Sequence, residues 1–276
     1  MTGAWVGVGL FNPYLHKASL VAQVAATLSD VAPGRVRILL GAGDRLTLES
    51  IGIKRERPLR RVEETLVIVK ALLKRGVYED GEPGLRLDFK PVEPPPIYVG
   101  AQGEGMLRLG ARLGEGVLVN YSYVEELRWA LKVMREEAES VRRPWESLDA
   151  AAFLTVSIDD EPSKALRSAI PYAAYILLGS GKKFRERYDV KERDLRRIKD
   201  AVLRRDWPGL QDLMPKYVDY VAIVGTPKQV EERVAEIRSI GYNHIVFGAP
   251  LGPEIERALK MLRGMVERFE ETKIED

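Results

Sequence analysis

The chain has no cysteine among its 276 residues. That excludes disulfides, thiolate zinc sites, iron–sulfur clusters and a cysteine nucleophile. Histidine is scarce: His16 and His244 are the two, too few for a poly-histidine centre, and no metal is expected. Charge of one sign is lacking as well, because 43 basic side chains against 41 acidic ones leave a net of +2. Neither nucleic acid nor an anionic membrane surface is expected as a partner. No run of about eighteen apolar residues occurs, so no membrane span is expected. Met1 leads into Gly3, Trp5 and Val6 without the basic and apolar regions of a leader peptide. These absences point to a cytoplasmic protein. What is plentiful is apolar residues, at 45 %, enough for a sizeable core.

Short apolar runs alternate with amphipathic stretches. The first run, Trp5 to Phe11, stops at Asn12-Pro13. A helix is predicted from Ala18 to about Val31, with Leu20, Val21, Val24, Ala25 and Leu28 on one face. The second run, Val36 to Leu40, closes on Gly41-Ala42-Gly43-Asp44. A long helix follows from about Leu59 to Arg75, with the stripe Val62, Leu66, Val69, Leu72 and Leu73, and Gly76 as its C′ residue. The third run, Ile97-Tyr98-Val99, closes on Gly100-Ala101-Gln102-Gly103, ahead of a helix to Leu113. The fourth is Gly116 to Asn120, followed by a helix from about Val124 to Val141, and the fifth is Ala151 to Ile158. From Pro162 to Val221 the alternation breaks into a helical insertion. A helix from Pro227 to Ile240, the sixth run His244 to Phe247 and a last helix from Pro253 to Phe269 complete the chain.

Strands alternating with helices imply an α/β fold with a parallel sheet buried on both faces, within one domain spanning residues 1–276. An open doubly wound sheet and a (β/α)8 barrel both suit this pattern, although a barrel needs eight strands and six runs are visible. In either architecture ligands sit at the carboxyl ends of the strands. Gly100 to Gly103, ahead of a helix, would let backbone N–H groups reach a phosphate; the same residues also suit a plain tight turn. Asp44 could bond a cofactor ring or handle a proton, or merely cap a helix. His16, just past the first strand end, stands where a general acid would be needed. His244 opens a strand at its amino end and reads as structural. The arginines between Arg185 and Arg205 are interleaved with acids and read as a solvated helical face.

Several segments together carry a resemblance. They are Val6-Gly7-Val8-Gly9-Leu10-Phe11-Asn12-Pro13-Tyr14, Leu39-Leu40-Gly41-Ala42-Gly43-Asp44, Arg57-Pro58-Leu59-Arg60-Arg61, Pro96-Ile97-Tyr98-Val99-Gly100-Ala101-Gln102-Gly103 and Ile223-Val224-Gly225-Thr226-Pro227. Over nearly its whole length the chain resembles the luciferase-like flavin and deazaflavin superfamily. Within it, the resemblance is to the coenzyme F420-dependent methylenetetrahydromethanopterin reductases. It implies a (β/α)8 TIM barrel and hydride transfer between reduced coenzyme F420 and methylenetetrahydromethanopterin or a similar one-carbon pterin. It also implies a homo-oligomer, and a non-prolyl cis peptide at Gly9-Leu10 behind the deazaflavin ring. Asn12, Asp44, Thr47 and Asn120 would line the cofactor site, and Gly100, Ala101, Gln102 and Gly103 would hold the phosphate of its tail. Asp44 and His16 are the candidate catalytic residues.

The sequence departs from that family in two ways. It has no counterpart of the first two strand–helix units, with their acidic and histidine site residues, which leaves six units. Phe11 stands where the family usually has threonine, and the residues around His16 are unusual. Two other readings follow: a luciferase-like monooxygenase using flavin mononucleotide (FMN), and a non-catalytic relative that needs a partner chain.

Overall fold

The computed structural model describes residues 4–80 and 84–271. The chain divides into two compact units, one of residues 1–119 and 130–150, the other of residues 120–129 and 151–276.

The first unit runs β1 (Val6–Phe11), α1 (Ala18–Val31), β2 (Val36–Leu40), α2 (Arg45–Ser50), α3 (Pro58–Arg75), a small antiparallel hairpin of β3 (Val77–Tyr78) and β4 (Leu85–Arg86), β5 (Ile97–Ala101), α4 (Glu104–Leu113) and β6 (Gly116–Val119). β1, β2, β5 and β6 pair in that order, all parallel, with Val6 opposite Val36, Ile38 opposite Ile97 and Tyr98 opposite Gly116. The helical crossovers therefore bring all four carboxyl ends to one edge of the sheet.

The core of this unit joins Ile38, Leu40, Ile97 and Val99 of the strands to Val62, Leu66, Val69, Leu72 and Leu73 of α3. That is the stripe read from the 3.6-residue period. Gly76, at φ 77°, ends α3 and donates its N–H to the Leu72 carbonyl at 2.8 Å. On α1 the buried face is Val21, Ala22, Ala25, Ala26 and Ser29. Leu20 is 45 % exposed, contrary to its expected place on the inner face. The alanines win that face because their small side chains let α1 lie close on α3, and leucine at 20 falls on the flank.

A polar layer crosses the amino ends of these strands. The Arg37 guanidinium lies 4.4 Å from the Trp5 ring centroid and 5.6 Å from that of Tyr98. Tyr98 donates its hydroxyl to Asp149 Oδ2 at 2.5 Å, and burial with this carboxylate raises its pKa. Gly116 leaves room for that ring: a methyl carbon there would lie 2.2 Å from it.

Helix α5 (Val124–Ser140) begins in the second unit and ends in the first. A short 3-10 turn (Trp145–Ser147) then leads into β7 (Asp149–Ile158). Five helices follow: α6 (Pro162–Gly179), α7 (Lys182–Arg187), α8 (Glu192–Arg204), α9 (Trp207–Leu213) and α10 (Pro215–Val221). The chain ends with β8 (Ile223–Gly225), α11 (Pro227–Ser239), β9 (His244–Leu251) and α12 (Ile255–Glu271). β7 is paired in parallel with both β8 and β9. β8 adds a strand to the six visible in the sequence. Three residues, directly followed by the Thr226–Gln229 capping box of α11, are too few to show a period.

Buried carboxylates pin the helical stretch. Asp194 of α8 accepts from Lys216 Nζ at 2.6 Å and Tyr217 Oη at 2.8 Å, both on α10. Glu126, in the first turns of α5, accepts from Arg187 of α7 and, at 2.9 Å, from the Tyr188 hydroxyl. No described helix is long and apolar enough to cross a membrane.

Candidate functional site at the strand ends of the first unit

The carboxyl ends of β1, β2 and β5 meet around one side chain. The Gly9-Leu10 peptide is cis, and the pairing of β1 with β2 is irregular between Val8 and Phe11. Leu10 lies over the glycines that end the neighbouring strands. A Cβ on Gly41 would come 2.9 Å from Leu10 Cδ2, and one on Gly100 would come 3.0 Å from Leu10 Cδ1. Gly9 is equally constrained, since a Cβ there would lie 2.5 Å from the Leu39 carbonyl oxygen. Glycine at 41 and 100 thus has a packing cause, the seating of Leu10 on bare backbone, and glycine at 9 has another, the close approach of β1 to Leu39. Leu10 still presents 43 % of its surface to solvent.

The loops beyond these ends are tied together by polar contacts. Asn12 is buried; its Oδ1 accepts from the backbone N–H groups of Tyr14 at 3.2 Å and Leu15 at 3.1 Å. The N–H of Asn12 donates to His16 Nδ1 at 3.1 Å. That contact assigns the lone pair to Nδ1 and, in the neutral ring, the proton to Nε2. The His16 ring stands edge-on to Phe11, at 5.3 Å between centroids. Asn12 also abuts the second loop: a Cβ on Gly43 would lie 3.1 Å from Asn12 Cγ.

Asp44 caps α2. Its Oδ1 accepts from the Thr47 N–H and the Thr47 hydroxyl, each at 2.7 Å. The expected pair is brought together, but as a helix cap, which leaves Asp44 Oδ2 as the oxygen that could face a ligand. At β5 the picture is more open. Gly103 is the N-cap of α4 without any side-chain cap, and a Cβ there would meet nothing within 4 Å. The Met106 and Leu107 N–H groups both donate to the Gly103 carbonyl at 3.0 Å, and the N–H groups ahead of them lie too early in α4 for an intrahelical acceptor. Glu104, which would repel an anion there, is neutralised by Arg108 at 3.1 Å. Ala101 is buried and ends β5, and Gln102 links it to the cap.

Two further residues brace the loops: Arg55, which was not singled out from the sequence, and Tyr14, which closes the first strand-end segment. Arg55 donates from Nη1 to the Gly43 carbonyl at 2.9 Å, and Tyr14 donates its hydroxyl to the Glu56 carbonyl at 2.8 Å. Burial raises the Tyr14 pKa, with Arg61 and Arg55 opposing. The pairing is invisible in sequence because the partners are some forty residues apart or bond through backbone.

Asn120 belongs to the second unit. Nearby, Ser122 Oγ accepts from the Thr155 N–H at 3.0 Å, and Tyr121 is buried and stacked on Phe184. His244 opens β9 opposite Ala151. The second unit also holds a cavity of about 500 Å³ lined by Tyr123, Lys216, Tyr220, Gln229 and Arg233 among others, and no predicted site residue lines it. No described group of three or more acidic or histidine side chains could hold a metal ion.

Comparison with known proteins bears on this arrangement. The family profile described as luciferase-like monooxygenase matches residues 5–244. The chain is 33 % identical over 267 residues to the 5,10-methylenetetrahydromethanopterin reductase of Archaeoglobus fulgidus, covering 93 % of this chain and 80 % of that one. It is 32 % identical to the reductase of the same name from Methanolobus tindarius, covering 93 % and 81 %. Among solved structures, the coenzyme F420-dependent tetrahydromethanopterin reductase of Methanopyrus kandleri superposes with a TM-score of 0.79 at 25 % identity, over 94 % of this chain and 81 % of that one.

Proposed function

Because the chain belongs to the luciferase-like monooxygenase family and has its TIM-barrel fold, we propose that it is an oxidoreductase that transfers hydride between reduced coenzyme F420 and methylenetetrahydromethanopterin or a similar one-carbon pterin. The observation that carries the reading is the convergence of three strand ends on Leu10, beside an uncapped, glycine-led helix start, in a chain one-third identical to such reductases.

The residues present fit the cofactor. Leu10 over Gly41 and Gly100 offers an apolar platform for a planar ring, and the Gly103 turn is an open cradle that any Cβ would narrow. When bound, the deazaflavin supplies a carbon centre that gives and takes hydride, a two-electron carrier that reacts poorly with oxygen. The protein's part is to bind, orient and keep water out. Leu10 sets the position of the ring. The Gly103 turn and the start of α4 hold the phosphate of the tail. Asn12 fixes the loop that carries His16, whose Nε2–H is a hydrogen-bond donor for substrate. Asp44 Oδ2 accepts from the ring or substrate, and Asn120 is assigned to the same cofactor. We also assign the enzyme to the cytoplasm as a homo-oligomer, a state that sedimentation measures directly.

Titration of the purified chain with oxidised F420, followed by fluorescence, tests the reading, with FMN as control. Selective saturable F420 binding, then anaerobic hydride transfer to the methylene-pterin, is the expected result. Preference for FMN, with oxygen-dependent oxidation of reduced flavin, would instead support the monooxygenase reading that the family description favours.

A further inference from the structure

The segment Lys54-Arg55-Glu56-Arg57-Pro58-Leu59-Arg60-Arg61 packs five cations and one acid into eight residues of a chain that is otherwise nearly balanced. Other surface arginines of the first unit are ion-paired: Arg45 with Glu49 at 2.7 Å, Arg60 with Glu64 at 2.6 Å, Arg112 with Glu63 at 2.9 Å. Among the described residues, no carboxylate comes within ion-pair distance of Lys54, Arg55, Arg57 or Arg61. Lys54, Arg57 and Arg61 are exposed, and Arg55 is half-buried. Four cations are thus concentrated around the single Glu56, outside any ion pair.

Their position is fixed by contacts to all three loops of the site. Arg55 bonds the Gly43 carbonyl that follows β2, and the Glu56 carbonyl holds the Tyr14 hydroxyl that follows β1. The Arg61 guanidinium lies 5.3 Å from the Tyr14 ring centroid. At the third loop, Leu59 packs on the start of α4, where a Cβ on Gly105 would lie 3.2 Å from Leu59 Cδ2. The segment is therefore a strap laid beside the strand ends, its cations held against the Tyr14 and Gly43 loops and its Leu59 against the start of α4.

We infer that the 54–61 strap is a recognition site for a polyanionic tail, phosphate or carboxylate, carried by a ligand bound at these strand ends. Arg55 and Arg61 are the positioned cations, and Lys54 and Arg57 add long-range attraction. The inference rests on the functional reading above and deepens it by naming what selects the ligand's far end. Two tails share this chemistry, the phosphate and γ-glutamyl chain of the deazaflavin and the anionic tail of the pterin. Exposed cations act through a screened field, so the contribution is salt-dependent.

The test compares the native protein with a Lys54→Gln, Arg57→Gln, Arg61→Gln triple variant, which keeps the Arg55 brace. Each is titrated by fluorescence with F420 and with the deazaflavin riboside that lacks phosphate and tail, at about 20 mM and 500 mM salt. Equal Tm values establish that the variant folds. The expected result is about a tenfold weaker F420 affinity in the variant at low salt, convergence of the two proteins at high salt, and an unchanged riboside affinity. If F420 affinity is unchanged but the pterin's affinity for the F420-loaded protein falls about tenfold, the strap holds the substrate's tail, and the inference stands with that source. Both affinities within threefold of native would overturn it while leaving the functional reading intact. Failure of the native chain to bind either deazaflavin would sink both.

Discussion

Gly9→Ala is the sharpest probe of the strand-end arrangement. The added methyl carbon would lie 2.5 Å from the Leu39 carbonyl oxygen and 2.7 Å from Leu39 Cβ, about 1 Å inside ordinary contact. β2 cannot yield, being paired on both sides and anchored by Ile38 and Leu40, which are fully buried. The end of β1 must move instead, and the φ of 156° at Gly9 suits no side chain. Overpacking costs about 1–3 kcal/mol and backbone strain a similar amount, so about 4 kcal/mol is expected in all. At this chain length that corresponds to a Tm lower by about 8 °C. Leu10 moves with its neighbour, off Gly41 and Gly100, and F420 affinity should fall at least about tenfold, which is about 1.4 kcal/mol. Thermal unfolding by circular dichroism and the fluorescence titration read the two effects separately. Gly179→Ala is the control: nothing lies within 4 Å of a Cβ at that helix end, and stability there should hold or rise slightly. A Gly9→Ala protein that melts within about 2 °C of native and binds F420 equally well would refute the packing argument.

Asp44→Ala removes the α2 cap and should cost about 1 kcal/mol, whereas Asp44→Asn should keep most of it. A drop in F420 affinity in both variants, measured by titration, would mean that the carboxylate itself meets the ligand. Arg143→Met removes guanidinium bonds to the carbonyls of Ala111 at 2.8 Å, Gly114 at 2.6 Å and Ser147 at 2.9 Å. Chemical denaturation should show a loss of about 3 kcal/mol, because the end of α4 is left with unpaired carbonyls. The hydrogen bond from Lys216, with that from Tyr217, holds the Asp194 carboxyl below the usual range. A depressed carboxyl adds stability above its unfolded value of about 3.9, lost as pH falls through the folded value. Tm measured from pH 6 down to pH 3 should therefore fall more steeply for the native protein than for Asp194→Asn, and parallel curves would contradict this.

How much of this was legible in the sequence depended on the range of the interaction. The α3 stripe from Val62 to Leu73 was readable because about three turns repeat one period. The α1 face was misjudged at Leu20, since the closeness of α1 to α3 is a tertiary fact. β8 escaped notice at three residues, and so did the two-residue strands of the β3–β4 hairpin. At the site, the glycine-rich strand ends announced themselves, but their reason did not: Gly41 and Gly100 make room for a leucine thirty-one and ninety positions away. Asp44 was ambiguous between cap and ligand because the spacing to Thr47 serves both. The cations of residues 54–61 were not singled out from the sequence, because what places them at the site is Arg55 on Gly43 and Leu59 on Gly105, contacts between distant positions.

Leu10 belongs to a strand with a single neighbour. Among the described residues β1 pairs with β2 alone, and Trp5 and Val6 are 52 % and 50 % exposed. Margins of this kind open at lower free energy than central strands, and their amides exchange with solvent sooner. Any ligand held on Leu10 clamps the first part of the sheet to fray, and at a hundredfold excess over its dissociation constant it adds about 2.7 kcal/mol against unfolding. Occupancy could then be followed as deuterium uptake at Val6 to Phe11, without any assay of turnover. Protein stored without cofactor would age from this margin inwards.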